Sequence, residues 1–312
     1  MAQKGRGGMR YGFIGLGNLG AHLAGSLLRK GFALTVHDLN KPAANPLIAA
    51  GARWAESPKA CAAASEAVIT CLPSPAASRA VLTGESGVLE GLRPGGTWIE
   101  MSTNDRHEIE AIAALAAKRG IATLEAPVTG GVHRAASGKI TVLVGGDAAT
   151  FEAHRPTLQA MGGQVFHMGP LGKASVIKVI TNMLAFIHLV AAGEALMLAK
   201  RGGLDLAQAF AAIKASSGNS FVHETESQLV LNGSYDIGFT MDLACKDLGF
   251  AHQLGRELGV PLELAGMTEQ IFRRGQAQYG GDAWSTRIVQ LLEDAVGTDL
   301  RAPGFPPVLA PE

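Results

Sequence analysis

Aromatic residues are scarce in this chain, at 5% of 312, while glycine alone numbers 40. That balance, with abundant alanine, suits close packing of helices on a sheet better than an all-β sandwich. Cysteine is also scarce. Cys61, Cys71 and Cys245 are odd in number, far apart and in no metal-ligand spacing, which leaves no disulfide framework and argues for reduced thiols serving as small core residues of a cytoplasmic protein. Net charge is lacking as well: Lys plus Arg and Asp plus Glu both total 27. Without an excess of either sign, nucleic acid and anionic membranes are poor partners, and a small polar ligand fits better.

Long uninterrupted apolar runs are missing too. No such run follows the glycine-rich, basic stretch Met1 to Met9, so no secretory signal is expected there, only a disordered lead-in over residues 1–9. The most apolar segment, Val176 to Ala199, is broken by Lys178, Asn182, His188 and Glu194, which argues against a membrane span and for a buried helix between two domains. His133, His154 and His167 form no ligand spacing, so no metal is expected. No cysteine has a histidine beside it, and no Walker motif occurs.

What is present is rhythm. Short apolar runs at Tyr11 to Ile14, Ala33 to His37, Ala67 to Cys71, Thr97 to Met101, Ala122 to Glu125 and Ile140 to Val144 alternate with helix-length or turn-rich segments. That is the βαβ pattern of a doubly wound, largely parallel α/β sheet. Near Gly169 to Gly172 helical periodicity takes over. The expected organisation is a Rossmann-type domain over 10–171, an all-α domain over 172–302 that is entered through a long interdomain helix, and an irregular tail over 303–312.

Within that rhythm, Gly15, Leu16, Gly17, Asn18, Leu19 and Gly20 lie between a predicted strand and a predicted helix. Glycines so placed allow a tight turn and close approach of a pyrophosphate to N–H groups at a helix N-terminus. Asp38 follows about twenty residues on, at the end of the second strand, where its carboxylate can accept from ribose hydroxyls. A carboxylate there disfavours the 2′-phosphate of NADP, and no arginine follows in Leu39-Asn40. NAD is the expected cofactor, with Lys41 the one nearby cation that tempers the preference. Further on, Lys178 and Asn182 stand four residues apart on one face of an apolar helix. An ammonium and an amide beside buried surface need partners, which an oxygen-bearing substrate can supply.

With these residues the chain resembles the β-hydroxyacid dehydrogenase family, which includes 3-hydroxyisobutyrate dehydrogenases and tartronate semialdehyde reductases. The likeness runs nearly end to end and also takes in Cys71-Leu72-Pro73-Ser74, Ser102-Thr103, Ala126 to Gly131 and Lys246-Asp247-Leu248. It implies a site between the domains and assembly as a homodimer or homotetramer. Leu72 and Pro73 would cover the adenine-ribose side of the cofactor, or simply end a strand. Thr103 would lie near the nicotinamide ribose, or cap the next helix. Thr129, Gly130 and Gly131 would hold a substrate carboxylate or sulfonate, and Lys246 would approach the cofactor, with Asp247 orienting it or capping its helix. His133 and Arg134 fall outside the family pattern, and Glu194 reads as structural. Ser216 to Ser220 would contribute to substrate choice or form a helix-end loop.

The implied reaction moves a hydride between the nicotinamide and a small 3-hydroxy acid or its semialdehyde. Lys178 would carry the hydroxyl proton as general acid/base. An unperturbed lysine has pKa ~10.4, and desolvation lowers it. Asn182 would orient the substrate. Tartronate semialdehyde, sulfolactaldehyde and dihydroxypropanesulfonate are alternative substrates. A non-catalytic dinucleotide-binding protein and an imine reductase share the architecture, but such relatives usually lack the lysine. A 6-phosphogluconate dehydrogenase would need a larger helical domain. Asn104-Asp105 stands where the family pattern continues with an apolar residue and a proline.

Overall fold

The computed structural model describes residues 8–311. Of the lead-in expected at 1–9, residues 1–7 lie outside that range. The strands are β1 (Tyr11–Ile14), β2 (Leu34–His37), β3 (Arg53–Trp54), β4 (Ala67–Thr70), β5 (Thr97–Glu100), β6 (Ala122–Glu125), β7 (Val128–Thr129), β8 (Ile140–Gly146) and β9 (Gly162–Gly169). The helices of the first half are α1 (Gly20–Arg29), α2 (Asn45–Ala49), α3 (Pro58–Ala63), α4 (Pro75–Thr83), α5 (Arg106–Ala117), α6 (Val132–Ser137) and α7 (Ala148–Met161). The rest are α8 (Lys173–Arg201), α9 (Leu206–Lys214), α10 (Phe221–Asn232), α11 (Met241–Leu258), α12 (Glu263–Tyr279) and α13 (Gln290–Val296).

All strands join one sheet in the order β3-β2-β1-β4-β5-β6-β8-β7, with β9 beside β8. The first six pair in parallel, and β8 runs antiparallel to both β6 and β7. Alternation along the strands builds a core on each face, as a sheet wound on both sides requires. Phe13, Ile69 and Ile99 join Leu23 and Leu27 of α1 and Leu158 of α7. Their neighbours Ile14, Val68 and Trp98 join Cys61 of α3, Leu82 of α4 and Ile109 of α5. The parallel strands therefore end together, next to the first turns of the helices that follow them.

Two compact units result, one extending to Lys178 and the other spanning Val179–Ala310. The 29-residue α8 contributes its first turns to the former and the remainder to the latter. The division falls within α8, several residues beyond the change of sequence pattern at Gly169 to Gly172. The second unit is helical around Phe186, Leu189, Leu248 and Phe272. The expected buried helix is only partly buried: 33% of the most apolar stretch of α8 is buried, and Leu184 and Leu198 are 44% and 76% exposed. By length and composition it could cross a membrane.

Candidate active site

The turn from β1 into α1 gives each glycine a different task. Gly15 has φ +97°, and a Cβ there would lie 2.2 Å from the Cys71 carbonyl oxygen. A Cβ on Gly20 would lie 2.0 Å from the carbonyl oxygen of Gly15, so the helix packs directly on the turn. At Gly17 a Cβ would meet nothing within 4 Å. That open backbone beside α1 is where a pyrophosphate can approach. No side chain caps α1 and no acid occupies its first turn, which leaves the positive end of the helix dipole suited to an anion. Asn18 and Leu19 complete the turn, whose carbonyls start the helix: Ala21 N–H donates to Gly17 O at 3.1 Å and Leu23 N–H to Leu19 O at 3.2 Å.

Asp38, at the end of β2, is bound into this turn. Its Oδ2 accepts from Leu16 N–H at 2.6 Å and its Oδ1 from Asn40 N–H at 2.7 Å. A carboxylate offers about four lone-pair positions, so it retains capacity for a ribose diol. The residues present thus fit a nicotinamide dinucleotide.

The ends of β4 and β5 are tied together next to this turn. Leu72 N–H donates to Ser102 Oγ at 2.7 Å, and Ser102 N–H donates to the buried Glu100 at 2.7 Å. Burial raises the Glu100 carboxyl above the ordinary range. Pro73 is exposed beyond the strand end, and Ser74 caps α4. Thr103 does not cap the next helix. Asp105 does, accepting from His107 and Glu108 N–H at 3.0 Å each. Between them Asn104 is 2% exposed, with neither its Oδ1 nor its Nδ2 hydrogen-bonded.

Thr129 ends β7, and Gly130 and Gly131 follow with φ of +120° and +86°. The Gly131 backbone begins α6 without a side-chain cap. Arg134 and His133 fold back against the two glycines: a Cβ on Gly130 would touch Arg134 at 3.1 Å, and one on Gly131 the His133 ring at 2.9 Å. Lys178 is 7% exposed on α8, and Asn182, one turn on, is 9% exposed. The Asn182 amide donates to Asp247 Oδ2 at 2.6 Å, while Lys246 Nζ donates to Asp247 Oδ1 at 2.6 Å. Asp247 is 1% exposed. This buried carboxylate binds Lys246, as expected, and also Asn182, and it does not cap α11, whose cap is Thr240.

Sequence reasoning missed two carboxylates that organise these elements, Glu125 and Asp247 in its contact with Asn182. Glu125 ends β6 and accepts from Ala174 and Ser175 N–H at 3.0 Å each, at the start of α8. Only a run of apolar residues closing on a single acid hinted at it. The Ser216 to Ser220 segment is a helix-end loop whose polar groups serve local structure: Ser220 caps α10, Ser216 bonds Ile213 O and Gly218 N–H, and Asn219 bonds Glu224. Glu194 is exposed on α8. Among the described residues no group of three or more His, Cys, Asp or Glu could hold a metal.

Residues 10–169 match the NAD-binding domain of 6-phosphogluconate dehydrogenase, and residues 172–292 match the NAD-binding domain of NADP-dependent 3-hydroxyisobutyrate dehydrogenase. The chain belongs to the β-hydroxyacid dehydrogenase family. It is 33% identical over 293 residues to 2-(hydroxymethyl)glutarate dehydrogenase of Eubacterium barkeri, covering 94% of this chain and 97% of that one. It is 34% identical to the NAD-dependent L-serine dehydrogenase of Pseudomonas aeruginosa, covering 84% and 90%. The crystal structure of 3-hydroxyisobutyrate dehydrogenase from Salmonella typhimurium superposes with a TM-score of 0.85 at 31% identity, covering 91% and 100%. The Rossmann-like first domain, the helical second domain and NAD(P)-dependent hydroxyacid dehydrogenase activity are those of the family.

Proposed function

We propose that this dehydrogenase oxidises a small 3-hydroxy acid with NAD, or reduces the corresponding semialdehyde, and that Lys178 carries the hydroxyl proton. The observation that carries this reading is a nearly buried ammonium side chain one helical turn before an amide anchored to a buried carboxylate. Such an arrangement holds proton-transfer and hydrogen-bonding groups at fixed separation. A nicotinamide held by these residues would supply the acceptor for the hydride of the carbinol carbon. In oxidation the neutral Lys178 amine takes the hydroxyl proton as the C–O bond becomes a carbonyl, and in reduction its ammonium returns that proton to oxygen.

Thr129 and the N–H groups of Gly130 and Gly131 would offer a hydroxyl and backbone donors for the carboxylate. Asn182 would orient the substrate through the hydrogen-bonding capacity that Asp247 leaves it. The Gly15 to Gly20 turn would cradle the pyrophosphate and Asp38 the adenosine ribose. Leu72, Pro73 and Thr103, at the ends of β4 and β5, would line the cofactor. Lys246, held by Asp247, would lie against the cofactor as well.

The relatives' names narrow the substrate class. 2-(Hydroxymethyl)glutarate, L-serine and 3-hydroxyisobutyrate share a primary alcohol one carbon from a carbon that bears a carboxylate. That fragment is what the proposed carboxylate and proton-transfer groups would recognise. The related L-threonate dehydrogenases favour a second, more polar reading, in which a more hydroxylated acid is taken.

Reduction of NAD and NADP is the test, against 3-hydroxyisobutyrate, L-serine, glycerate, 3-hydroxypropionate, threonate and dihydroxypropanesulfonate. Turnover of one of these with NAD, lost by at least ~10²-fold in Lys178→Met with NADH binding retained, is expected. A Lys178→Met variant as active as the parent would end the lysine reading. The three free thiols support a cytoplasmic setting. The exposed α8 positions Leu184, His188, Ala191, Ala195 and Leu198 recur at heptad spacing, which supports a homodimer or homotetramer joined through this face.

A further inference from the structure

A buried carboxylate outside the proposed proton-transfer set sits where it can govern that set. Glu125 is the last residue of β6, four residues before Thr129, and is 1% exposed. Its Oε1 accepts from Ala174 N–H at 3.0 Å; its Oε2 accepts from Ser175 N–H at 3.0 Å and from the Ser175 hydroxyl in a very short contact. Ala174 lies four residues before Lys178 and so shares its helical face. Helices leave their first N–H groups without intrahelical partners. Here one acid from a strand 49 residues earlier in the chain takes two of those of α8, Ala174 and Ser175.

The sheet makes room for this carboxylate. Gly145 of β8 pairs opposite Glu125, and a Cβ on Gly145 would lie 2.3 Å from Oε1. A side chain at 145 would therefore have to displace the Glu125 carboxylate. Three donors converging on one carboxylate favour its ionised form, and the positive end of α8 adds to that. Burial opposes it and raises the Glu125 carboxyl above its ordinary value.

We propose that Glu125 is a positioning residue for the reaction: it fastens the first turn of α8 to the end of β6 and thereby sets the Lys178 amine in register with the Thr129 to Gly131 turn. The proposal rests on the reading of Lys178 as the proton carrier. An error of about 1 Å in such a placement can cost ~10²-fold in rate, so the contact acts on chemistry and not on cofactor affinity. It differs from an ordinary helix cap in that the same strand end leads directly into the proposed carboxylate-holding turn.

Two variants disturb the clamp from opposite sides. Glu125→Gln keeps the volume but puts an NH2 against an N–H donor, and Gly145→Ala leaves the acid intact while displacing it. Each is assayed with the panel alcohol that the parent turns over fastest, alongside Lys178→Met. Expected for both clamp variants are a kcat reduced ~10- to 100-fold, an NADH Kd within about twofold of the parent, a displaced alkaline limb in the pH profile of kcat/KM, and a larger solvent deuterium isotope effect on kcat.

Loss of activity only in proportion to the unfolded fraction, with limb and isotope effect unchanged, would overturn the proposal. Should Glu125→Gln fail to fold, Gly145→Ala decides alone by the same readouts. An active Lys178→Met variant would instead count against the lysine reading. An inactive Lys178→Met beside two normal clamp variants would count against Glu125 only.

Discussion

Asp38→Asn changes one atom in the turn that would hold the adenosine end of the cofactor, and its consequences can be worked through bond by bond. The native carboxylate spends one oxygen on Leu16 N–H at 2.6 Å and the other on Asn40 N–H at 2.7 Å. The amide that replaces it keeps a single acceptor oxygen and sets an NH2 against one of those N–H groups. If Asp38 holds the ribose, at least one hydrogen bond to a charged acceptor would be lost as well, costing about 1.5–3 kcal/mol, or ~10- to 150-fold in NAD affinity. For NADP the sign reverses, because a carboxylate near the 2′-phosphate repels it by about 1–4 kcal/mol before salt screening. NADH and NADPH binding, followed by nicotinamide fluorescence, should therefore converge. The NADH:NADPH affinity ratio is expected to fall by ~10²-fold or more, and the parent's ratio should shrink as salt rises. An affinity ratio unchanged in the variant would refute the role given to Asp38.

Asn104 buries two polar amide atoms with no partner, so Asn104→Leu, close to it in shape, should stabilise the protein by about 1–2 kcal/mol in thermal or urea melts, and a lower Tm would contradict this. His154 Nδ1 shares a hydrogen bond with the Tyr11 hydroxyl at 2.9 Å, and burial lowers the His154 pKa from 6.5 to about 4. The unfolded chain then binds the extra proton first, so the His154 contribution is fully present above pH 6.5 and falls by up to about 3 kcal/mol as the pH drops toward 4. His154→Gln should flatten the urea midpoint across that window relative to the parent, and parallel curves would exclude the effect. On α8, Leu198 is 76% exposed, and Leu198→Glu should shift the light-scattering mass toward the monomer if the apolar stripe joins copies of the chain; an unchanged mass would remove that face from the assembly.

What the sequence made legible was local. The spacing of Gly15, Gly17 and Gly20 can be read because each glycine answers to atoms within one strand-turn-helix unit, and Asp38 because it closes the adjacent strand. The strands β1, β2, β4, β5, β6 and β8 announced themselves as apolar runs. The two-residue β3 and β7 are too short to show a pattern, and β9 begins Gly162-Gly163 and keeps most of its residues exposed, so no periodicity marks it. The antiparallel insertion of β8 between β6 and β7 is likewise a matter of tertiary pairing. Length and hydropathy made α8 look buried, yet an exposed heptad stripe satisfies the same composition.

The site divides along the same line. Lys178 and Asn182 share a helix, and their spacing is visible in one line of sequence. The carboxylates that hold their surroundings act across 49 residues for Glu125 and 65 for Asp247, distances over which no periodicity survives. Acids at the ends of apolar strands, such as Glu100 and Glu125, nevertheless carry a readable signal: a charge at the buried end of a strand must find donors. In this fold those donors are the N–H groups at the beginnings of loops and helices beside the strand ends, which is also where a doubly wound sheet places its ligands. The same chemistry that satisfies a buried strand-end acid would therefore bring it next to the proposed reacting groups, and that is why Glu125 is tested by rate and isotope effect as well as by stability.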